Sequence, residues 1–132
     1  MREILDTRFL IEYFASADTA VIERAREKLR NLRRTGSGII PAMALAEFFC
    51  HVCQRAGRKR AEQATESLVS SGLFIFPLSP QIAVLAGSLR CEHRDVPMAD
   101  CIIAATAIQT RGKVISDDPH FKRLGRVKVD WI

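Results

Sequence analysis

Four acidic residues stand among apolar neighbours along this chain, and their side chains are the groups best suited to chemistry. They are Asp6, Glu47, Asp100 and Asp118, and Asp117 adjoins the last of them. Carboxylates are rarely buried without a partner, because removing an unpaired charge from water is costly. Four such residues, spread over nearly the whole chain, predict a shared site with a cation at its centre. Mg²⁺ takes oxygen ligands and suits such a cluster.

Each of these acids also has an ordinary structural explanation to be weighed. Asp6 could cap the helix that follows it, Asp100 could interact with its helix dipole, and Asp118 could cap a turn. Glu47 is harder to explain, because its helix leaves it no capping role and only His51 offers a partner at helical spacing. A cation is therefore the better explanation for the set.

Short apolar segments alternate with helical patterns, and this alternation must position the acids. Strands are predicted near residues 2–5, 39–40, 73–76, 113–115 and 127–131, and helices near 7–15, 18–34, 41–56, 58–71, 80–90, 98–110 and 120–123. The pattern predicts an α/β fold, a three-layer α/β/α sandwich on a mainly parallel sheet of four to five strands. Ligands of such sheets bind beyond the carboxyl ends of the strands, where we expect the four acidic segments to converge.

Length and charge indicate the number of domains and the kinds of partner that the protein could bind. The 132 residues predict one domain, residues 1–132, and the net charge of +5 is mildly basic. Positive charge concentrates in residues 24–34 and 55–60, which could follow the phosphates of a nucleic acid or simply form solvated helix faces. No apolar run is long enough to span a bilayer or to form a signal peptide, so we expect a cytoplasmic protein without membrane contact.

The acidic segments, taken in order, resemble those of PIN-domain ribonucleases of the VapC toxin type. Four stretches carry the resemblance: 4–11, 44–48, 98–107 and 114–121. The closest is Met-Ala-Asp-Cys-Ile-Ile-Ala-Ala-Thr-Ala at 98–107, an Asp followed by a helix rich in Ile and Ala. In this register Asp118 is the fourth acid and Ser116 its hydroxyl partner. One departure is Ile40-Pro41, where relatives often carry Ser or Thr.

The resemblance implies a PIN-like fold and a divalent-metal-dependent endoribonuclease that hydrolyses RNA phosphodiester bonds, leaves 5′-phosphates and serves as the toxin of a toxin–antitoxin pair. It implies Mg²⁺ or Mn²⁺ as cofactor, an antitoxin protein as partner and a homodimer. By this resemblance, the metal-binding catalytic acids are Asp6, Glu47, Asp100 and Asp118, and Asp117 could join them. Two hydroxyls, those of Thr7 and Ser116, would contact substrate or orient the carboxylates. The alternative is a PIN-like module that binds RNA or protein without cutting, and metal-dependent cleavage distinguishes the two.

Overall fold

The computed structural model describes residues 1–132 as five strands and seven helices. The strands are β1 (Glu3–Leu5), β2 (Gly38–Pro41), β3 (Phe74–Phe76), β4 (Lys113–Ile115) and β5 (Lys128–Asp130). The helices are α1 (Thr7–Ala15), α2 (Thr19–Thr35), α3 (Ala42–Ala56), α4 (Arg58–Val69), α5 (Pro80–Glu92), α6 (Met98–Thr110) and α7 (His120–Leu124). Every element predicted from the sequence is present, because apolar periodicity and the flanking Gly and Pro residues act locally.

The sheet is entirely parallel, in the order β3-β2-β1-β4-β5, where the sequence predicted a mainly parallel one. The chain moves from β1 toward one edge through β2 and β3, then crosses to β4 and continues to β5 at the other edge. Right-handed connections therefore place α1–α4 on one face and α5–α7 on the other. The order reverses between β1 and β4, and the crevice beyond their carboxyl ends is where such sheets bind ligands.

Two helices bring acids to this crevice because of the way they enter the sheet. Helix α3 begins directly after β2, so its first turns rise from the carboxyl edge, and Glu47 lies there. Helix α6 ends just before β4 and so begins at the carboxyl edge, with Asp100 in its first turn. Residues 101–107 of α6 are all buried, which explains why this helix is apolar on every side.

Several predicted boundaries shift by one or two residues, and two of these shifts have a clear physical reason. Pro41 was predicted in the first turn of α3, but it ends β2 in an extended conformation, with ψ at 140°. Strand β1 pairs with β2 only at Gly38 and Ile39, so the missing N–H of Pro41 costs no bond on that side. Helix α4 ends at Val69 instead of Ser71, because the Ser71 N–H and hydroxyl both donate to the Leu68 carbonyl in a closing turn. None of the helices is long and apolar enough to cross a membrane.

Candidate active site

Asp6 lies at the centre of the crevice, directly after β1, and is only 2% exposed. Its Oδ2 accepts a hydrogen bond of 2.6 Å from the hydroxyl of Ser116, which follows β4. Asp6 occupies the N-cap position of α1 but makes no side-chain capping hydrogen bond, so capping does not account for it. Burial raises the pKa of Asp6 to about 6, against the lowering effect of the Ser116 hydrogen bond.

Asp100 and Asp118 meet across a histidine side chain. His120 Nδ1 lies 2.7 Å from Asp100 Oδ2 and 3.1 Å from Asp118 Oδ1. Burial raises the pKa of Asp100, the hydrogen bond to His120 opposes this, and the charge of Asp118 adds to it. The three residues can present ligand atoms that all lie within 4.8 Å of one another, and the chain has no other such group of His, Cys, Asp or Glu. This cluster could hold a metal ion.

The turn after β4 is shaped by hydrogen bonds between alternate residues. The Ser116 hydroxyl accepts from the Asp118 N–H at 3.0 Å, and Asp118 Oδ1 accepts from the His120 N–H at 2.9 Å. Asp118 thus performs the turn-capping role that its position before Pro119 suggested. The capping leaves its carboxylate facing the imidazole of His120. The same side chain therefore stabilises the turn and belongs to the candidate site.

Glu47 reaches the same site from α3. The Thr7 hydroxyl, at the start of α1, donates a hydrogen bond of 2.6 Å to Glu47 Oε1. The charge of Glu47 also contributes to the raised pKa of Asp100, which places the two carboxylates in one electrostatic environment. Its partner is therefore Thr7, not His51, the candidate at helical spacing.

Asp117 points to a different partner. Arg8 donates to both of its carboxylate oxygens, at 2.6 and 3.2 Å, and the Asp117 side chain is 37% exposed. Asp117, Asp6 and Glu47 all lie outside the group of Asp100, Asp118 and His120, whose ligand atoms are within 4.8 Å of one another. Asp117 differs from Asp6 and Glu47 because its charge is paired with a guanidinium, whereas theirs accept hydrogen bonds from hydroxyls. By contrast, no Lys or Arg forms an ion pair with any of the other acids: Asp6, Glu47, Asp100 and Asp118.

His120 is the site residue that sequence reasoning missed. The sequence alone assigns it no role, because a single histidine beside an acid carries no specific signal. The available signal was its position, two residues after Asp118 and at the start of a short helix, where an Asp-x-His segment can fold back into a turn. Its approach to Asp100, twenty positions earlier, depends on tertiary packing.

Comparison with known proteins identifies the family. The sequence profile of the PIN domain matches residues 4–127, which include all four acids. The chain belongs to the PIN domain family. This confirms the resemblance drawn from the four acidic segments. No curated protein sequence matches the chain significantly.

Solved structures with a similar fold include a toxin–antitoxin complex from Klebsiella pneumoniae, which is 24% identical with coverages of 89% and 87% and a TM-score of 0.65. A chain of VapBC2 from Rickettsia felis bound to promoter DNA is 19% identical, with 99% of this chain and 98% of that chain covered and a TM-score of 0.82. Mycobacterium tuberculosis VapC20, described as a sarcin-ricin loop cleaving toxin, is 17% identical with coverages of 96% and 98% and a TM-score of 0.76. A chain of FitAcB from Neisseria gonorrhoeae is 25% identical with coverages of 96% and 95% and a TM-score of 0.74. These likenesses extend over nearly the full length and show the PIN-like fold.

The donor set fits a hard divalent cation. Four carboxylates and one imidazole surround the crevice, and no thiolate belongs to the cluster. Oxygen-rich sites of this kind suit Mg²⁺ and Mn²⁺. Burial raises the pKa of both Asp6 and Asp100, and no Lys or Arg pairs with either carboxylate, so the chain alone does not compensate their negative charges. A cation among these side chains would do so.

Replacing Ser116 with Ala tests how far the hydroxyl orients the acids. The change removes the donor to Asp6 and the acceptor for the Asp118 N–H, and loss of a group that orients metal ligands typically weakens metal binding about tenfold to a hundredfold. We expect a loss of Mn²⁺ affinity in this range, measured by titration calorimetry. Ser88→Ala, an exposed position on α5, is the matched control and should bind Mn²⁺ as the wild type does. Equal affinities for the two variants would contradict an orienting role.

Proposed function

We propose that this protein is a divalent-metal-dependent endoribonuclease and acts as the toxin of a toxin–antitoxin pair. The observation that carries the proposal is the convergence of Asp6, Glu47, Asp100 and Asp118 on one crevice without a Lys or Arg partner. Membership of the PIN domain family supports a nuclease, and the VapC-type neighbours support RNA as substrate.

The four acids would hold one or two Mg²⁺ or Mn²⁺ ions. When bound, such an ion lowers the pKa of a water molecule and offsets charge on the phosphate. Ser116 and Thr7 fix the orientations of Asp6 and Glu47 through hydrogen bonds of 2.6 Å. Because the Asp6 carboxylate is already oriented and desolvated, the polar groups around it would reorganise little during the reaction.

His120 would act as a positioning residue within this site. Its Nδ1 can carry only one proton, and it lies between the carboxylates of Asp100 and Asp118. In the tautomer with the proton on Nδ1, it donates to Asp100 and holds the first turn of α6 against the turn after β4. No Ser, Cys or His nucleophile is needed for hydrolysis in this arrangement.

The proposed partners follow from the relatives. One similar structure is a toxin–antitoxin complex from Klebsiella pneumoniae, and VapC20 is a toxin, so we propose a small antitoxin protein as the partner that restrains this chain. The resemblance to VapC toxins further leads us to propose a homodimer as its assembly. Size-exclusion chromatography with light scattering tests the dimer. Co-purification of a small protein encoded beside this chain, together with loss of cleavage in that complex, tests the antitoxin.

The experiment that tests the activity is cleavage of end-labelled single-stranded RNA by the purified protein in Mg²⁺, Mn²⁺ or EDTA. We expect cleavage with either metal, 5′-phosphate products, and none in EDTA. Retention of RNA in a gel shift with no cleavage under any metal condition would support the binding module instead. Cleavage that persists in EDTA would contradict the metal-dependent mechanism.

A further inference from the structure

A large cleft of the molecule lies away from the acidic site, along helix α2. Its volume is about 620 Å³, and α2 and the two residues after β5 line it. The lining includes one acid, Glu27, and Trp131, the only tryptophan of the chain. It also includes four cations: Arg24, Lys28, Arg30 and Arg34. We call this surface the basic cleft.

Among the side chains of the basic cleft, four cations stand against one acid, Glu27. Lys28 is paired with Glu3 at 2.7 Å, but Arg24, Arg30 and Arg34 form no ion pair with any carboxylate. Arg24 and Arg34 are ten residues apart on one helix, a distance of about 15 Å along its axis. A row of this length presents charge to an extended polyanion, not to a single small anion.

Trp131 forms the other wall of the basic cleft and is held in place from beneath. Its ring packs edge-on against buried Phe9, with centroids 6.4 Å apart and planes at 84°. The indole is half-buried, and its remaining surface lines the cleft. A fixed aromatic ring beside a row of cations is the arrangement by which proteins bind single-stranded nucleic acid, with bases stacked on the ring and phosphates near the cations.

A short chain of contacts joins the basic cleft to the acidic site. The residue before Trp131, Asp130, accepts a backbone hydrogen bond of 2.9 Å from the Ser116 N–H, and the Ser116 hydroxyl donates to Asp6. Phe9, which supports the indole, lies in the first turn of α1, three residues after Asp6. The indole therefore stands next to the edge of the sheet where the acids converge.

We propose that the basic cleft is a second binding site for single-stranded RNA, in which Arg24, Arg30 and Arg34 contact phosphates and Trp131 stacks on a base. Without a bound cation the four acids repel the phosphates of a substrate, so affinity for the metal-free protein must come from another surface. The site binds the strand beyond the cut and passes it across Trp131 toward Asp6. This inference rests on the proposed function, because it takes the RNA substrate as the ligand.

Two double variants of α2 with equal charge change test the proposal. Arg24→Gln/Arg34→Gln removes two cations from the basic cleft, whereas Arg26→Gln/Arg33→Gln removes two from the same helix outside it. Binding of a fluorescein-labelled single-stranded oligoribonucleotide is measured by anisotropy in EDTA, where it is not cut. We expect the first double to weaken binding about tenfold or more and to lower the slope of log K against log salt by about 1.4. The second double should stay within about twofold of wild type.

Trp131 provides an independent readout, since it is the only tryptophan. Stacking of a base on the indole should quench its fluorescence with the same Kd as the anisotropy titration, and polyglutamate at equal charge should not. Equal losses in the two double variants, or RNA binding without quenching, would overturn the proposal. Binding of polyglutamate as tight as that of RNA would assign the cleft to an acidic protein segment instead.

The outcomes for the basic cleft and for the nuclease are separable. A protein that cuts RNA in Mg²⁺ while both double variants bind RNA alike refutes the cleft and leaves the nuclease intact. A protein that shows the predicted difference in EDTA but never cuts refutes the nuclease and leaves the cleft intact. Circular dichroism and the Tm of each variant establish that the fold is retained.

Discussion

Replacing Asp100 with Asn is expected to reduce metal-dependent RNA cleavage by more than about a hundredfold. Asp100 lies 2.7 Å from His120 and shares its electrostatic environment with Asp118, Glu47 and Asp6. The change removes a negative charge and one oxygen ligand while keeping the shape of the side chain. Loss of groups that merely orient metal ligands costs about tenfold to a hundredfold, and loss of a ligand itself costs more.

The measurement is the initial rate of cleavage of end-labelled RNA in saturating Mg²⁺. Asp95→Asn is the matched control, because Asp95 lies in the loop before α6 and pairs with Arg123 on the surface at 3.0 Å. We expect that control to cut at the wild-type rate. Full activity of purified Asp100→Asn protein would contradict the proposed mechanism. The Tm of the variant should equal or exceed that of wild type, since mutual repulsion among the acids is relieved.

Replacing Asp6 with Asn is expected to stabilise the metal-free protein at neutral pH by about 3 kcal/mol. The folded state raises the pKa of Asp6 from 3.8 to about 6, mainly through burial. Between these values the folded protein holds a proton that the unfolded chain has released. The stabilising contribution is therefore complete below pH 3.8 and is lost as the pH rises through about 6. Asn carries no charge at any pH and escapes this loss.

The free energy of unfolding in urea, measured in EDTA across this pH range, tests the expectation. Wild-type protein should lose stability as the pH rises, and Asp6→Asn should lose less. The raised pKa of Asp100 contributes to the slope with the same sign, so the variant keeps part of it. Mg²⁺ should stabilise wild type at neutral pH and have a smaller effect on Asp6→Asn, because the ion binds the folded state. Identical pH slopes for the two proteins in EDTA would show that Asp6 ionises as it does in the unfolded chain.

The elements of the fold were predictable because their signals are local. Helix α6 was placed at Met98–Thr110 from its apolar run and the following Gly112, and β4 from the short apolar segment after it. The order β3-β2-β1-β4-β5 was not predicted, since it depends on which strands pair across long stretches of chain. The parallel register of β1 with β4 brings Ser116 to Asp6, and no local pattern contains that contact.

The site divides in the same way between local and distant causes. The sequence by itself identified the four acids as candidate site residues. Each lies among apolar neighbours, and burying a charge there is costly in any fold. Only the tertiary structure brought His120 between Asp100 and Asp118, paired Asp117 with Arg8, and set Trp131 against Phe9 beside a row of arginines. The contacts of His120 with Asp100, of Arg8 with Asp117 and of Phe9 with Trp131 join residues 20, 109 and 122 positions apart. Such contacts form only once the sheet has fixed the relative positions of its strand ends, so residue type and spacing alone could not predict them.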